Sequence, residues 1–106
     1  MVRSLICLCV FTIGLAATAS AQDGAKIFAD QKCTLCHAIA GKGNAKGALD
    51  EVGSKLSADE IRSWITDAKG MTAKTKATRK PEMKAYSLPK DQVDALVTYL
   101  SSLKKK

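Results

Sequence analysis

The chain has 106 residues, which is enough for one domain only. Its 17 lysines and arginines against 10 acidic residues give a formal net charge of +7, which favours acidic partners. The single histidine excludes a metal site that needs several imidazole ligands.

The first 21 residues have the pattern of a secretory signal peptide. Arg3 gives a basic start, residues 5–16 are apolar, and Ala19-Ser20-Ala21 forms a small-x-small cleavage site. The apolar run is shorter than the ~20 residues that span a bilayer, and no later segment is apolar enough to do so. We therefore expect cleavage after Ala21, with Ala19 as the alternative. The mature domain, residues 22–106, would be periplasmic or otherwise exported.

A short first helix is predicted from Gly24 towards Lys32, because the side chain of Asp23 can cap it. Gly24 and Phe28 are four residues apart and share one face. The glycine would let another backbone approach closely, and Phe28 would add an apolar contact beside it.

Two cysteines, Cys33 and Cys36, stand two residues apart, and His37 follows directly. This spacing is the attachment signature of c-type haem, in which both thiols form thioether bonds and the imidazole binds the iron. A thioredoxin-like motif would need a surrounding βαβ pattern, and a zinc site would need further ligands. The remaining cysteines, Cys7 and Cys9, lie in the segment expected to be removed. We predict one covalent haem c, which would also stabilise so small a domain.

Residues 38–53 are rich in glycine and show no clear hydrophobic period. They predict a loop around one haem edge. Leu49 and Val52 are expected to turn inward, with Leu49 in the haem pocket.

A middle helix is predicted to begin at Ser57, which forms a capping box with Glu60. It would run to about Lys69, with Gly70 as its C-terminal stop. Trp64, the only tryptophan, lies on the apolar stripe of this helix. Its indole N–H needs an acceptor in a pocket, which a haem propionate could provide, although ordinary core packing is at least as compatible.

A second axial ligand must come from a residue other than histidine. Methionine sulfur is the natural choice, and after cleavage only Met71 and Met83 remain. Met83 follows Pro81 on a loop long enough to reach the far side of the haem, so we favour it. Met71 follows the predicted helix stop directly and stays the alternative.

A basic stretch extends from Lys69 to Lys90 and is opposed only by Glu82. A surface of this kind steers association with an acidic redox partner. Nucleic acid is disfavoured, because the stretch has one aromatic residue, Tyr86, and no recognisable reading motif. A merely solvated loop is the alternative. The stretch contains Lys69, Lys74, Lys76, Arg79, Lys80, Lys84 and Lys90.

The last helix is the clearest periodic segment. Pro89 suits its start, and the terminal lysines, residues 104–106, suit its end or form a frayed tail. Tyr99 is placed to meet Gly24 and Phe28. The apolar stripe at helical spacing consists of Val93, Leu96, Val97, Leu100 and Leu103.

Taken together, these residues resemble the class I monohaem cytochromes c of the small bacterial type. The resemblance covers essentially the whole mature chain. It implies an all-α fold in which the N- and C-terminal helices cross, and the middle helix and loops wrap one covalent haem with His37 and Met83 as axial ligands. In that family, the carbonyl that accepts a hydrogen bond from the ligand imidazole usually belongs to a proline shortly before the leucine to which Leu49 corresponds. Here Gly47 or Ala48 would supply it. The matching positions are Gly24, Phe28, Cys33 to His37, Leu49, residues 56–64, Met83, Ala85-Tyr86 and Thr98-Tyr99-Leu100.

With both axial positions filled, the iron would have no position open for a substrate. The expected function is therefore that of a monomeric one-electron carrier between respiratory or dehydrogenase partners, and not that of an enzyme. Two alternatives stay open. A labile methionine bond would allow a haem enzyme or gas-binding protein, and a permanent complex would make the chain a fixed electron-transfer subunit.

Overall fold

The computed structural model describes residues 20–106, so all of the predicted signal peptide except Ser20 and Ala21 lies outside the described residues. The part described is mostly helical, as predicted. No helix within it is both long and apolar enough to cross a membrane. Its elements are α1 (Ala21–Asp30), β1 (Ala38–Ile39), β2 (Lys42–Gly43), α2 (Val52–Lys55), α3 (Ala58–Thr66), α4 (Ala68–Thr75) and α5 (Lys90–Ser101).

Helix α1 begins three residues earlier than predicted. Ser20 caps it, and the Ser20 hydroxyl accepts a hydrogen bond from the backbone N–H of Asp23 at 3.2 Å. For the uncleaved chain the predicted cap at Asp23 is therefore wrong, because Ser20, a residue of the predicted signal peptide, is an equally good N-cap three residues before it. Asp23 lies instead in the first turn, where its negative charge complements the helix dipole.

Helices α1 and α5 cross at Gly24, as predicted. Gly24 is buried, and a Cβ added there would meet the carbonyl oxygen of Ala95 and the Cβ of Tyr99. Beside this crossing, the rings of Phe28 and Tyr99 pack edge to face with centroids 6.2 Å apart. The main core consists of Phe28, Ile61, Ile65, Val93, Leu96, Val97 and Leu100.

The capping box at the start of α3 is confirmed. The N–H of Glu60 donates to the Ser57 hydroxyl at 3.1 Å, and the N–H of Ser57 donates to the Glu60 carboxylate at 3.0 Å. The predicted end at Lys69 is wrong, because α3 ends at Thr66 and Asp67 starts a new helix. The Asp67 side chain accepts from the N–H of Gly70 at 3.2 Å, which places Gly70 in the first turn of α4.

Helix α3 is joined to α5 by a charged cluster. Arg62 Nη2 donates to Asp94 Oδ1 at 2.6 Å, and Lys90 Nζ donates to Asp94 Oδ2 at 2.8 Å. The hydrogen bonds from Lys90 and Arg62 hold the pKa of the Asp94 carboxyl below its usual value.

The loop predicted over residues 38–53 contains local structure. It holds the β1–β2 hairpin, a 3₁₀ turn at Ala45–Gly47 and the short helix α2. The C-terminal tail packs against α2, since Gly53 N–H donates to Leu103 O and Lys105 N–H donates to the Ser54 hydroxyl, both at 2.7 Å. The tail is therefore held as far as Lys105, and the possibility of a frayed tail is wrong.

Candidate cofactor site

A cavity of about 720 Å³ lies among the helices and the loop of residues 76–89. This volume is within the ~300–1,000 Å³ range of cofactor pockets. All of the site residues expected from the sequence line it, namely Cys33, Cys36, His37, Leu49, Trp64 and Met83. Met71 is buried on α4, with 8% of its surface exposed, and lies outside the lining.

The two cysteines are placed by a sharp turn. Lys32 takes a left-handed conformation at φ 58°, which ends α1 and leads into the 3₁₀ turn Cys33–Leu35. The N–H of His37 then donates to the carbonyl of Cys33 at 2.9 Å. This turn is compact because it is closed by local hydrogen bonds, so both thiols and the imidazole reach one cavity.

Both cysteines are free and half-buried thiols. Burial raises the pKa of the Cys33 thiol, although a hydrogen bond with Tyr86 acts in the other direction. The shift favours the protonated thiol in the free chain. Both thiols thus lie in the cavity wall, where thioether attachment would occur.

His37 is oriented by the backbone of the next turn. Its Nδ1 lies 2.9 Å from the carbonyl oxygen of Gly47. A carbonyl can only accept, so Nδ1 carries the proton and Nε2 keeps a lone pair for a metal. Burial lowers the pKa of His37, which favours the neutral imidazole that binds metals. Gly47 thus supplies the carbonyl for which the resemblance leads one to expect a proline.

Gly47 is also a point of close approach. A Cβ added there would meet the carbonyl oxygen of Cys36 and would lie 2.9 Å from Cζ of Arg79. The guanidinium of Arg79 also donates from Nη2 to the Cys36 carbonyl at 2.5 Å. Sequence reasoning placed Arg79 only in the basic stretch, and no local pattern points to this contact across 43 residues.

The loop of residues 76–89 brings Met83 to the cavity, where it is half-buried. Three residues later, the N–H of Tyr86 donates to the carbonyl of Ile65 at 2.8 Å and so ties the loop to α3. The Tyr86 ring also lines the cavity, and Lys84 Nζ lies 5.2 Å from its centroid. The sequence signal for Tyr86 was an aromatic residue shortly after a methionine.

The cavity wall is mainly apolar. Leu49 and Trp64 line the cavity and are half-buried. Their contacts with haem stay a prediction. The residues that complete the apolar wall include Phe28, Val52, Leu56, Ile61, Ile65, Leu88, Leu96 and Leu100. A large apolar ring with one polar edge fits this lining, because apolar side chains surround the thiols and imidazole.

Fold and site together define a small all-α protein built around one covalently attached cofactor. A family model described as Cytochrome c matches residues 21–104. The chain therefore belongs to the cytochrome c family, whose members carry covalently attached c-type haem and act generally as electron carriers with redox partners. The match is consistent with the predicted class I monohaem fold. No curated protein and no solved structure matches the chain well enough to be compared.

Proposed function

We propose that this protein is a one-electron carrier whose haem is attached through Cys33 and Cys36 and bound at the iron by His37 and Met83. The observation that carries the proposal is that these four residues line one cavity. Haem bound there supplies a ferric/ferrous one-electron couple. The chain contributes attachment, axial ligands and an apolar wall that limits the access of water.

Two differences in position favour Met83 over Met71 as the second axial ligand. Met83 is half-buried and is the only methionine among residues 20–106 that lines the cavity. Met71 is buried in α4, and its carbonyl accepts from the Thr75 hydroxyl at 2.7 Å, as in a regular helix. Met71 therefore acts as a packing residue.

A six-coordinate iron has no position open for a substrate, so the proposed protein is not an enzyme. The chain's part in electron transfer is to keep the coordination shell unchanged between oxidation states. His37 is held by Gly47, and the loop of Met83 is held by the backbone contact of Tyr86 with Ile65.

The basic stretch supports docking to an acidic redox partner. Its lysines are exposed, and among residues 20–106 two of them are paired with a carboxylate, Lys80 with Glu82 and Lys90 with Asp94, both at 2.8 Å. The remaining positive charge would steer an acidic surface towards the cavity mouth. We propose that a signal peptide exports the chain to the periplasm, where it acts as a diffusing monomer.

The optical spectrum of the ferric holoprotein tests the axial ligands. Methionine ligation gives ferric haem a weak far-red band, which Met83→Ala is expected to abolish. Met71→Ala is the matched control and is expected to keep the band while lowering stability. A band that persists in Met83→Ala and disappears in Met71→Ala would overturn the assignment.

Carbon monoxide separates a carrier from a gas-binding protein. The ferrous wild-type protein is expected to refuse carbon monoxide at neutral pH, because Met83 fills the sixth position. Ready binding by the wild type would contradict the carrier function. Met83→Ala is expected to bind carbon monoxide and so shows that the reagent reaches the iron.

A further inference from the structure

The side chain of Arg79 reaches the backbone on both sides of the candidate axial histidine. Its Nη2 donates to the carbonyl of Cys36, the residue before His37, at 2.5 Å. Its Cζ lies 2.9 Å from the position of a Cβ on Gly47, whose carbonyl accepts from His37 Nδ1. The guanidinium therefore lies over the turn that orients His37.

Arg79 belongs to the loop that carries Met83, and it lies four residues before that methionine. Three residues after Met83, Tyr86 ties the same loop to α3 through the carbonyl of Ile65. The two contacts stand on either side of Met83. Without the Arg79 contact, the first part of the loop would be held mainly by the chain that leads out of α4.

We propose that Arg79 is a positioning residue that closes the Met83 loop onto the His37 turn and shields the His37–Gly47 hydrogen bond. The inference rests on the proposed His37/Met83 ligation. A planar guanidinium suits this place, because it can lie flat on a residue without a side chain while its N–H groups donate to a carbonyl. Gly47 leaves the room for it, since any side chain there would meet the guanidinium.

This role predicts two changes in an Arg79→Gln holoprotein. Imidazole competes with Met83 for ferric iron, so its dissociation constant is expected to fall about tenfold when the loop opens more easily, as loss of one charge-assisted hydrogen bond implies. The Nδ1 proton of His37, followed by NMR in the ferrous protein, is expected to exchange with solvent about tenfold faster for the same reason.

Two variants separate the contact from its charge. Lys42→Gln removes the same charge from an exposed residue of β2 that pairs with Ile39 and lies outside the cavity lining. It is expected to leave imidazole binding and proton exchange unchanged. Arg79→Lys keeps the charge and is expected to restore only part of the wild-type behaviour, because a compact ammonium cannot cover Gly47 while it donates to Cys36.

The outcomes distinguish this inference from the proposed function. If Arg79→Gln matches the wild type in both measurements, or if Lys42→Gln changes them equally, the role of Arg79 is overturned. If Met83→Ala keeps the far-red band, the ligand assignment fails, but proton exchange at His37 still tests Arg79 because it depends only on the His37 turn. Faster exchange in Arg79→Gln than in Lys42→Gln supports the shielding role.

Discussion

Replacement of Gly24 by alanine is expected to destabilise the crossing of α1 and α5. The added Cβ would meet the backbone carbonyl of Ala95, with the carbonyl carbon at 2.9 Å, and backbone cannot turn aside as a side chain can. Overpacking of this kind costs about 1–3 kcal/mol. Alanine returns about 1 kcal/mol through its higher helix propensity. Because the added Cβ would meet backbone atoms of Ala95 and the Cβ of Tyr99 at once, we take the upper part of the overpacking range, about 2–3 kcal/mol. The net loss is then expected to be about 1–2 kcal/mol, or roughly 5–15 °C in Tm.

The assay is guanidinium unfolding of the holoprotein, followed by far-UV circular dichroism. The control is the same exchange at Lys26, an exposed position of α1, where Lys26→Ala is expected to be more stable than Lys26→Gly by about 1 kcal/mol. Alanine is thus expected to be less stabilising than glycine at position 24 and more stabilising than glycine at position 26 of the same helix. If Gly24→Ala is as stable as the wild type, the crossing does not require glycine and the reasoning is refuted.

Three further predictions concern other parts of the fold. Asp94, whose pKa is held low by its two basic partners, should stabilise the fold above the usual carboxyl pKa and lose this effect as pH falls through its folded-state value. Urea unfolding of Asp94→Asn should therefore differ from the wild type at neutral pH and converge with it in acid. Ser57→Ala should cost about 1 kcal/mol in urea unfolding, whereas Ser57→Asp should cost less because it keeps a capping oxygen. The double variant Cys33→Ser/Cys36→Ser, purified without haem, should lack near-UV circular dichroism. Without haem the apolar wall of the cavity would face water, which disfavours rigid packing of the helices around it. Cooperative unfolding of this variant with a native-like near-UV spectrum would contradict this reasoning.

Features that depend on neighbours in the chain could be predicted from the sequence. The capping box at Ser57 could be predicted because the two residues that form it stand three positions apart. The contact of Gly24 with α5 is long-range, but a glycine and an aromatic residue on the same helix face are a pattern that predicts the close approach of another backbone.

Two errors came from residues with more than one local use. Gly70 has the composition of a helix stop, yet it donates its N–H to Asp67 at the start of α4. Asp23 has the composition of a cap, yet Ser20 takes that place. At the start of α1 two good N-caps stand three residues apart, and propensity alone does not choose between them. At Gly70 the helix has already ended at Thr66, because Asp67 serves as the N-cap of α4.

The two sides of the cofactor site are stabilised by contacts of different range. On the His37 side, the hydrogen bonds span ten residues or fewer, so this turn can form with little loss of chain entropy. On the Met83 side, the contact of Arg79 with the Cys36 carbonyl spans 43 residues, and no sequence pattern predicts it. We therefore expect substitutions on the Met83 side to affect ligand exchange at the iron more than the stability of the fold. At Gly47 we expect the larger effect on stability, because this one residue both supplies the carbonyl that holds His37 and leaves the space that Arg79 occupies.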